Sequence, residues 1–293
     1  MKSPKNSFSV RHPFLFGFSL LLMAVALIWG AAAFFHGKTG LFTSGKIGVV
    51  TVQGTITNSL PTVKFLRDLR RDDSVNGVLL RINSPGGTIA PSQELYHAVK
   101  SFAEVKPIVA SFGTVAASGG YYAAAPATKI MASSGSITGS IGVKAEYASF
   151  RQLMDKLGVK PVIITSGKLK GAGSPYSELT PEQREYLEGL IMDMHNQFVD
   201  DVAAARKLDR EDVEKIADGR AVTGREAKKL GLVDRIGGFE ESVTVLKALC
   251  GLEGDVSVVE GPEEDKPFIR EILGYFGLKP QGSATGEGLI FSF

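Results

Sequence analysis

An α/β fold with a largely parallel sheet, preceded by one membrane-spanning helix, is what the 293-residue sequence predicts. Three observations carry that expectation. Residues 14–35 form a run of 22 residues without a charge. From residue 46 onward, short apolar runs of strand length alternate with amphipathic runs of helical length, the pattern of right-handed β–α–β crossovers. From residue 180 onward the chain turns helical, with capping signals at the helix starts.

Residues 1–13 carry Lys2, Lys5 and Arg11 and no acid. At about 1.5 Å per residue a helix over 14–35 spans roughly 33 Å, enough for a hydrocarbon core of about 30 Å. It is too long for the usual apolar region of a signal peptide, and no convincing cleavage site follows, although Ala31, Ala32 and Ala33 leave cleavage open. The basic flank predicts a cytoplasmic amino terminus, with everything after about residue 38 periplasmic or extracytoplasmic. Residues 36–45 read as a linker, 46–250 as the main domain and 251–293 as an extension.

Strands are expected at 47–53, 75–82, 107–112, 129–132, 159–165 and 232–236. The 75–82 run is apolar enough to be buried on both faces. Helices are expected at 60–71, with Val63, Leu66 and Leu69 on one side, and at 88–103, 150–157, 180–206, from about 209, and 239–249. Thr180-Pro181-Glu182-Gln183 is a capping box with proline at the first helical position, and Thr223-Gly224-Arg225-Glu226 repeats the signal before a helix ending at Gly231. Residues 251–293 are rich in Gly, Glu and Pro, with a short amphipathic helix over 266–276 and a loose end.

A net charge of +2 excludes the large basic surface of a nucleic-acid binder. Cys250 is the single cysteine, so no intrachain disulfide forms, and its apolar setting is that of a small core residue.

The stretch that points to chemistry is 111–125, where Ser118 lies between Ala116-Ala117 and Gly119-Gly120. A strand precedes it and a helix can start after it. A serine at such a corner exposes its hydroxyl beside backbone N–H groups, and its small neighbours let a peptide approach, as acyl transfer requires. A tight turn with a serine N-cap fits the same residues. Asn83-Ser84-Pro85-Gly86-Gly87 lies at another strand end. There the Gly86 N–H, paired with that of Gly119, would complete an oxyanion hole; a plain turn before a helix reads the same way.

A nucleophilic serine needs a base. The histidines are His12, His36, His97 and His195. The first two belong to the anchor region, and His97 and His195 fall in helices, solvated or packed. No histidine lies between 97 and 195, so nothing supports a Ser-His-Asp triad. Lysine is the other choice. Its pKa must fall from about 10.4 to about 7–8, which burial beside hydroxyls rather than carboxylates achieves. Residues 166–175 follow an expected strand end, hold no acid, and offer both Lys168 and Lys170.

Taken jointly, these stretches resemble the signal peptide peptidase A family of membrane-anchored serine proteases. The matching residues are Asn83-Ser84-Pro85-Gly86-Gly87, Ala117-Ser118-Gly119-Gly120-Tyr121-Tyr122, Thr138-Gly139-Ser140-Ile141-Gly142-Val143, Ser166-Gly167 with Lys170 and Ser174-Pro175, then Thr223-Gly224, Ala227 and Gly231-Leu232-Val233-Asp234. The resemblance covers about 46–250 and the anchor. It implies a crotonase- or Clp-protease-like fold of repeated ββα units with a helical C-terminal part. It also implies a Ser-Lys dyad, with Ser118 as nucleophile, Lys170 as general base, Ser140 orienting the lysine, and Gly86 and Gly119 as the oxyanion hole. Lys168 is then a bystander. No metal or cofactor is implied. The implied substrates are remnant signal peptides, and the implied partners are further copies of the chain, in a ring or dome with the dyad assembled across a subunit boundary. A membrane quality-control protease of the same mechanism, a crotonase-type acyl-CoA enzyme and a non-catalytic membrane scaffold are the competing readings. Carboxylate acid–base residues would favour the acyl-CoA enzyme, and the 166–175 loop has none.

Overall fold

The computed structural model describes residues 12–39, 45–262 and 290–292. The chain divides into two compact units, Met1–Ser44 and Gly45–Phe293. The first contains one helix, α1 (Pro13–Thr39), whose described side chains are apolar on all sides and exposed, Leu27 and Trp29 among them. Among the described residues no helix is long and apolar enough to cross a membrane. The side chains described in α1 are those of 14–30, about 25 Å of helix axis against a hydrocarbon core of about 30 Å.

The second unit is built on a sheet whose central strands are parallel. Strand β1 (Lys46–Gln53) pairs with β2 (Val75–Ser84), and β2 with β3 (Ile108–Ala117). β3 then shares its far edge between two strands. Its first half pairs in parallel with β4 (Lys129–Ala132), and its second half with β5 (Ile137–Gly139). Beyond these lie β7 (Ala221–Thr223), antiparallel to β5, and β8 (Arg235–Ile236), parallel to β4. A separate two-stranded ribbon pairs β6 (Lys144–Glu146) with β10 (Ile290–Ser292).

Side chains alternate across this sheet with period two. Val50, Leu80, Ala110 and Ile130 lie in register across four strands, and all are buried on one face. That face is covered by α2 (Leu60–Arg71) through Leu66 and Leu69, α3 (Ile89–Ala103) through Leu95, Val99 and Phe102, and α6 (Pro181–Arg206) through Phe198 and Val202. Leu79, Val109 and Met131 point the other way and meet Leu246 of α9 (Phe239–Cys250). Burial on both faces is why β2 reads as a continuous apolar run. Between these elements lie the short helices α4 (Gly119–Ala124), α5 (Arg151–Lys156), α7 (Arg210–Glu214) and α8 (Gly224–Lys229). The Thr180 capping box forms as the sequence implies, with Thr180 Oγ1 accepting from the Gln183 N–H.

The structure differs from the sequence expectations in several places, among them the short strands β5, β6 and β7, which form where none is expected. β3 runs to Ala117, beyond the expected end at 112, so Ser118 ends a long central strand directly. The strand expected at 159–165 does not form. Its residues lie in irregular chain with Val162 and Ile164 at 83% and 92% exposure, because no described strand edge pairs with them. The domain does not stop at 250, since β9 (Ser257–Gly261) pairs in parallel with β1 at the sheet edge. The chain end is not wholly loose, since β10 pairs with β6; the amphipathic helix expected at 266–276 lies outside the described residues.

Under the sheet end, Asp234 accepts from the Ile130 N–H (2.8 Å) and from Arg206 Nη2 (2.8 Å), with Lys129 at 3.4 Å. Burial pushes this carboxyl up, but the guanidinium, the amide and the lysine outweigh burial and hold it below its ordinary value. The Arg206 side chain is only 7% exposed. Asp234→Ala leaves that guanidinium without its carboxylate, and urea unfolding should show a loss of about 3–5 kcal/mol. Because the folded pKa is depressed, the contribution of Asp234 is complete above the unfolded value of about 3.9 and is lost as pH falls through the folded value. The melting points of wild type and Asp234→Asn should therefore differ at neutral pH and converge below about pH 4.

Candidate active site

Ser118 stands where β3 hands over to α4. Val115, Ala116 and Ala117 are paired with β5, and Ala116 also with Ser84 of β2, so the strand cannot swing. The backbone then turns sharply at Ser118, with φ 55° and ψ −124°. A non-glycine residue at such angles carries strain on the order of 1–3 kcal/mol and persists only when its surroundings hold it. They do so here from both sides: the Ser118 N–H donates to Gly139 O (2.8 Å), and its carbonyl accepts from the Tyr122 N–H (2.9 Å). Ser140 has a left-handed φ of 53°, and its N–H donates to Arg220 O (2.8 Å).

The Pro-Gly-Gly turn after β2 packs directly on this corner. Gly86 has φ +106°, and a Cβ there would lie 2.8 Å from both the Gly119 nitrogen and Ser118 Cβ, so only glycine fits. The Gly86 N–H, however, donates to Ser84 Oγ (3.1 Å). Gly86 is the residue expected to supply an oxyanion-hole donor, and in this structure that donor is engaged by Ser84. The next residue carries a donor that is not. Ile56 N–H donates to Gly86 O (2.9 Å), and Thr88 N–H donates to Ile56 O (2.8 Å). This parallel bridge faces Ile56 from the residues on either side of Gly87, so the Gly87 N–H points away from Ile56. On that side lies Gly119, where an added Cβ would stand 3.3 Å from the Gly87 nitrogen. The Gly119 N–H opens α4 and has no intrahelical acceptor. Among the described residues neither the Gly87 nor the Gly119 N–H has an acceptor, so two donors are open beside Ser118.

A cleft of about 470 Å³ opens on Ser118 and Ser140. Its far wall is one face of α6, with Ile191, Met192 and His195. The sequence reading leaves His195 packed or solvated on a helix; the structure places it half-buried in this wall. The helical spacing 191, 192, 195 is the signal that could have found it. Asp218 also lines the cleft. Its hydrogen bonds to the Arg220 side chain and N–H hold its carboxyl well down, at about 2.

The lysines lie elsewhere. Lys170 is exposed, in the turn closed by its own N–H donating to Gly167 O (3.0 Å), and is not among the residues lining the cleft. Lys168 is ion-paired with Glu182. Within one chain, Ser118, Ser140, Gly87 and Gly119 are brought together, and Lys170 is not brought to them.

A buried serine on a strained strand-to-helix corner, with two free amides beside it and a cleft in front, has the makings of an acyl-transfer hydrolase. Residues 100–253 match the Peptidase family S49 model, and the chain belongs to that family, the serine peptidases of the signal peptide peptidase A type. It is 41% identical over 234 residues to a putative protease of Synechocystis sp., covering 79% of this chain and 84% of the relative. To a putative signal peptide peptidase SppA of Enterococcus faecium it is 38% identical, covering 78% and 67%. To Protease 4 of Haemophilus influenzae it is 33% identical, covering 73% of this chain and 36% of that longer protein. Among solved structures, a point mutant of ClpP1 from Listeria monocytogenes aligns with a TM-score of 0.45 at 16% identity, covering 70% of this chain and 98% of that one.

Gly119 tests the crowding at this corner. An added Cβ would collide with Ser92 Oγ. Gly119→Ala should lose peptidase activity and about 1–3 kcal/mol of stability through overpacking. Adding Ser92→Ala removes the colliding oxygen and should restore a measurable part of both, read by peptide turnover and urea unfolding.

Proposed function

We propose that the chain is a membrane-anchored endopeptidase that degrades remnant signal peptides and similar apolar peptides through an acyl-enzyme on Ser118, with Lys170 as the base. The observation that carries this reading is the free pair of N–H groups, of Gly87 and Gly119, beside the Ser118 hydroxyl. In the first step the neutral Lys170 amine takes the hydroxyl proton while Ser118 Oγ attacks the peptide carbonyl. The two amides hold the oxyanion. The lysine then passes its proton to the leaving amine, and in the second step it activates the water that releases the acyl group.

The apolar lining of the cleft by Pro85, Val143, Ile191, Met192 and Ala217 suits aliphatic side chains. Ser140, in the same cleft, is suited to orient the incoming amine by its hydroxyl. Lys170 reaches Ser118 from a neighbouring copy. The irregular segment before it supports this, because Val159, Val162, Ile163 and Ile164 are exposed in the single chain and gain cover in an assembly. The anchor reading rests on the uncharged run 14–35 behind Lys2, Lys5 and Arg11, which puts the peptidase unit on the extracytoplasmic side.

The test is turnover of short apolar peptides by the full chain in detergent micelles. Ser118→Ala and Lys170→Ala should each reduce kcat by at least about 1,000-fold, while Lys168→Ala stays within about two-fold of wild type. Activity should rise above neutral pH as the amine deprotonates. Inactive Ser118→Ala and Lys170→Ala proteins should restore activity when mixed and reassembled, since each supplies the group the other lacks. Survival of activity in Lys170→Ala, with its loss in Lys168→Ala, would move the base to Lys168.

A further inference from the structure

Behind Ser118, the two successive tyrosines of α4 leave the helix in different directions, and both are tied. Tyr121 Oη donates to Leu232 O at 3.0 Å. Tyr122 Oη donates to the Asp201 carboxylate and accepts from the Gln93 side chain. The Tyr122 ring is fully buried, stacked on Tyr96 with centroids 5.0 Å apart and met edge-on by Phe198 at 4.7 Å. Burial and the Asp201 carboxylate push this phenol above its ordinary range, so it stays a donor throughout the working pH range.

The position of this bond gives it its meaning. Tyr122 is one helical turn from Ser118, and its N–H closes that turn on the Ser118 carbonyl (2.9 Å). Asp201 lies on α6, the same helix that presents Ile191, Met192 and His195 to the cleft. A six-residue helix is too short to hold its own first turn, least of all one that begins with a strained residue. We infer that Tyr122 and Asp201 are a positioning pair: their bond fixes the first turn of α4 against α6, setting both the aim of the Ser118 hydroxyl and its distance from the cleft wall. This rests on the reading of Ser118 as the nucleophile. Neither residue lines the cleft, so both act through Ser118.

The pair is tested with the full chain in detergent micelles by the rate at which a fluorophosphonate probe labels Ser118, alongside kcat and KM on a short apolar peptide and the melting point. Tyr122→Phe and Asp201→Ala should each slow labelling and lower kcat by about ten-fold or more while KM changes by less than about three-fold, as for an interaction needed only when the serine attacks. Asp201→Asn keeps an oxygen for the phenol and should regain most of the rate. Tyr121→Phe is the control for simple loss of a buried hydroxyl, because Tyr121 Oη, on the same helix, donates to Leu232 O and not to Asp201; its labelling should match wild type. Wild-type labelling in Tyr122→Phe, or an equal loss in Tyr121→Phe, overturns the pair and leaves the nucleophile standing. Wild-type protein that the probe does not label at Ser118 overturns the nucleophile, and the pair with it. If Tyr122→Phe does not fold, the contrast between Asp201→Ala and Asp201→Asn decides: equal labelling in the two overturns the pair.

Discussion

Ser118 occupies backbone angles at which a side chain crowds its own main chain, and the fold spends several contacts to keep it there. The carbonyl of Gly139 takes its N–H, the first turn of α4 takes its carbonyl, and the Pro-Gly-Gly turn packs against its Cβ with no atom to spare. The result is a serine beside two amides whose hydrogens have no partner among the described residues. Ser118 lines the cleft, and an oxygen entering there can be taken by these amides. The long central strand matters for the same reason. Pinned by β2 on one edge and by β4 and β5 on the other, β3 delivers the serine from the most rigid part of the sheet.

The geometry around the serine is assembled within one chain, and Lys170, the proposed base, stands apart from it. Lys170 sits on an exposed turn after a stretch of valines and isoleucines that faces solvent. Both facts have one physical account. A β-branched apolar stretch with no strand edge beside it has the composition of an inner strand and the surroundings of a loop. On the function proposed above, a second copy of the chain would supply what both lack, an edge for the stretch and a hydroxyl for the amine. Activity would then depend on assembly, and a free subunit would hold its nucleophile and its base apart.

Much of this is legible in the residues. The β–α alternation follows from apolar runs whose length and period match buried parallel strands, and the capping box at Thr180 forms as its spacing implies. Ser118 stands out because only residues without bulk surround it. What is not legible is orientation. Gly86 and Gly87 are identical letters, and only the bridge to Ile56 and the bond to Ser84 Oγ reveal which N–H is free. His195 reads as one more residue on an amphipathic helix until α6 is laid across the cleft. The run at 159–165 has every local feature of a strand, yet pairing is a property of neighbours, and none of the described strands offers it an edge. β9 is hidden by the polar composition around it, since an edge strand of five residues needs few apolar side chains.

That edge strand has a bearing on how the molecule can be handled. Lys46–Gln53 is the first strand of the second unit, and Ser257–Gly261 lies against its outer side. A protein trimmed after Cys250, where the last long helix ends, would uncover a row of unpaired amides and carbonyls along β1. Such a row invites the strands of other molecules. Clumping of so shortened a protein would report a missing selvage rather than a faulty core.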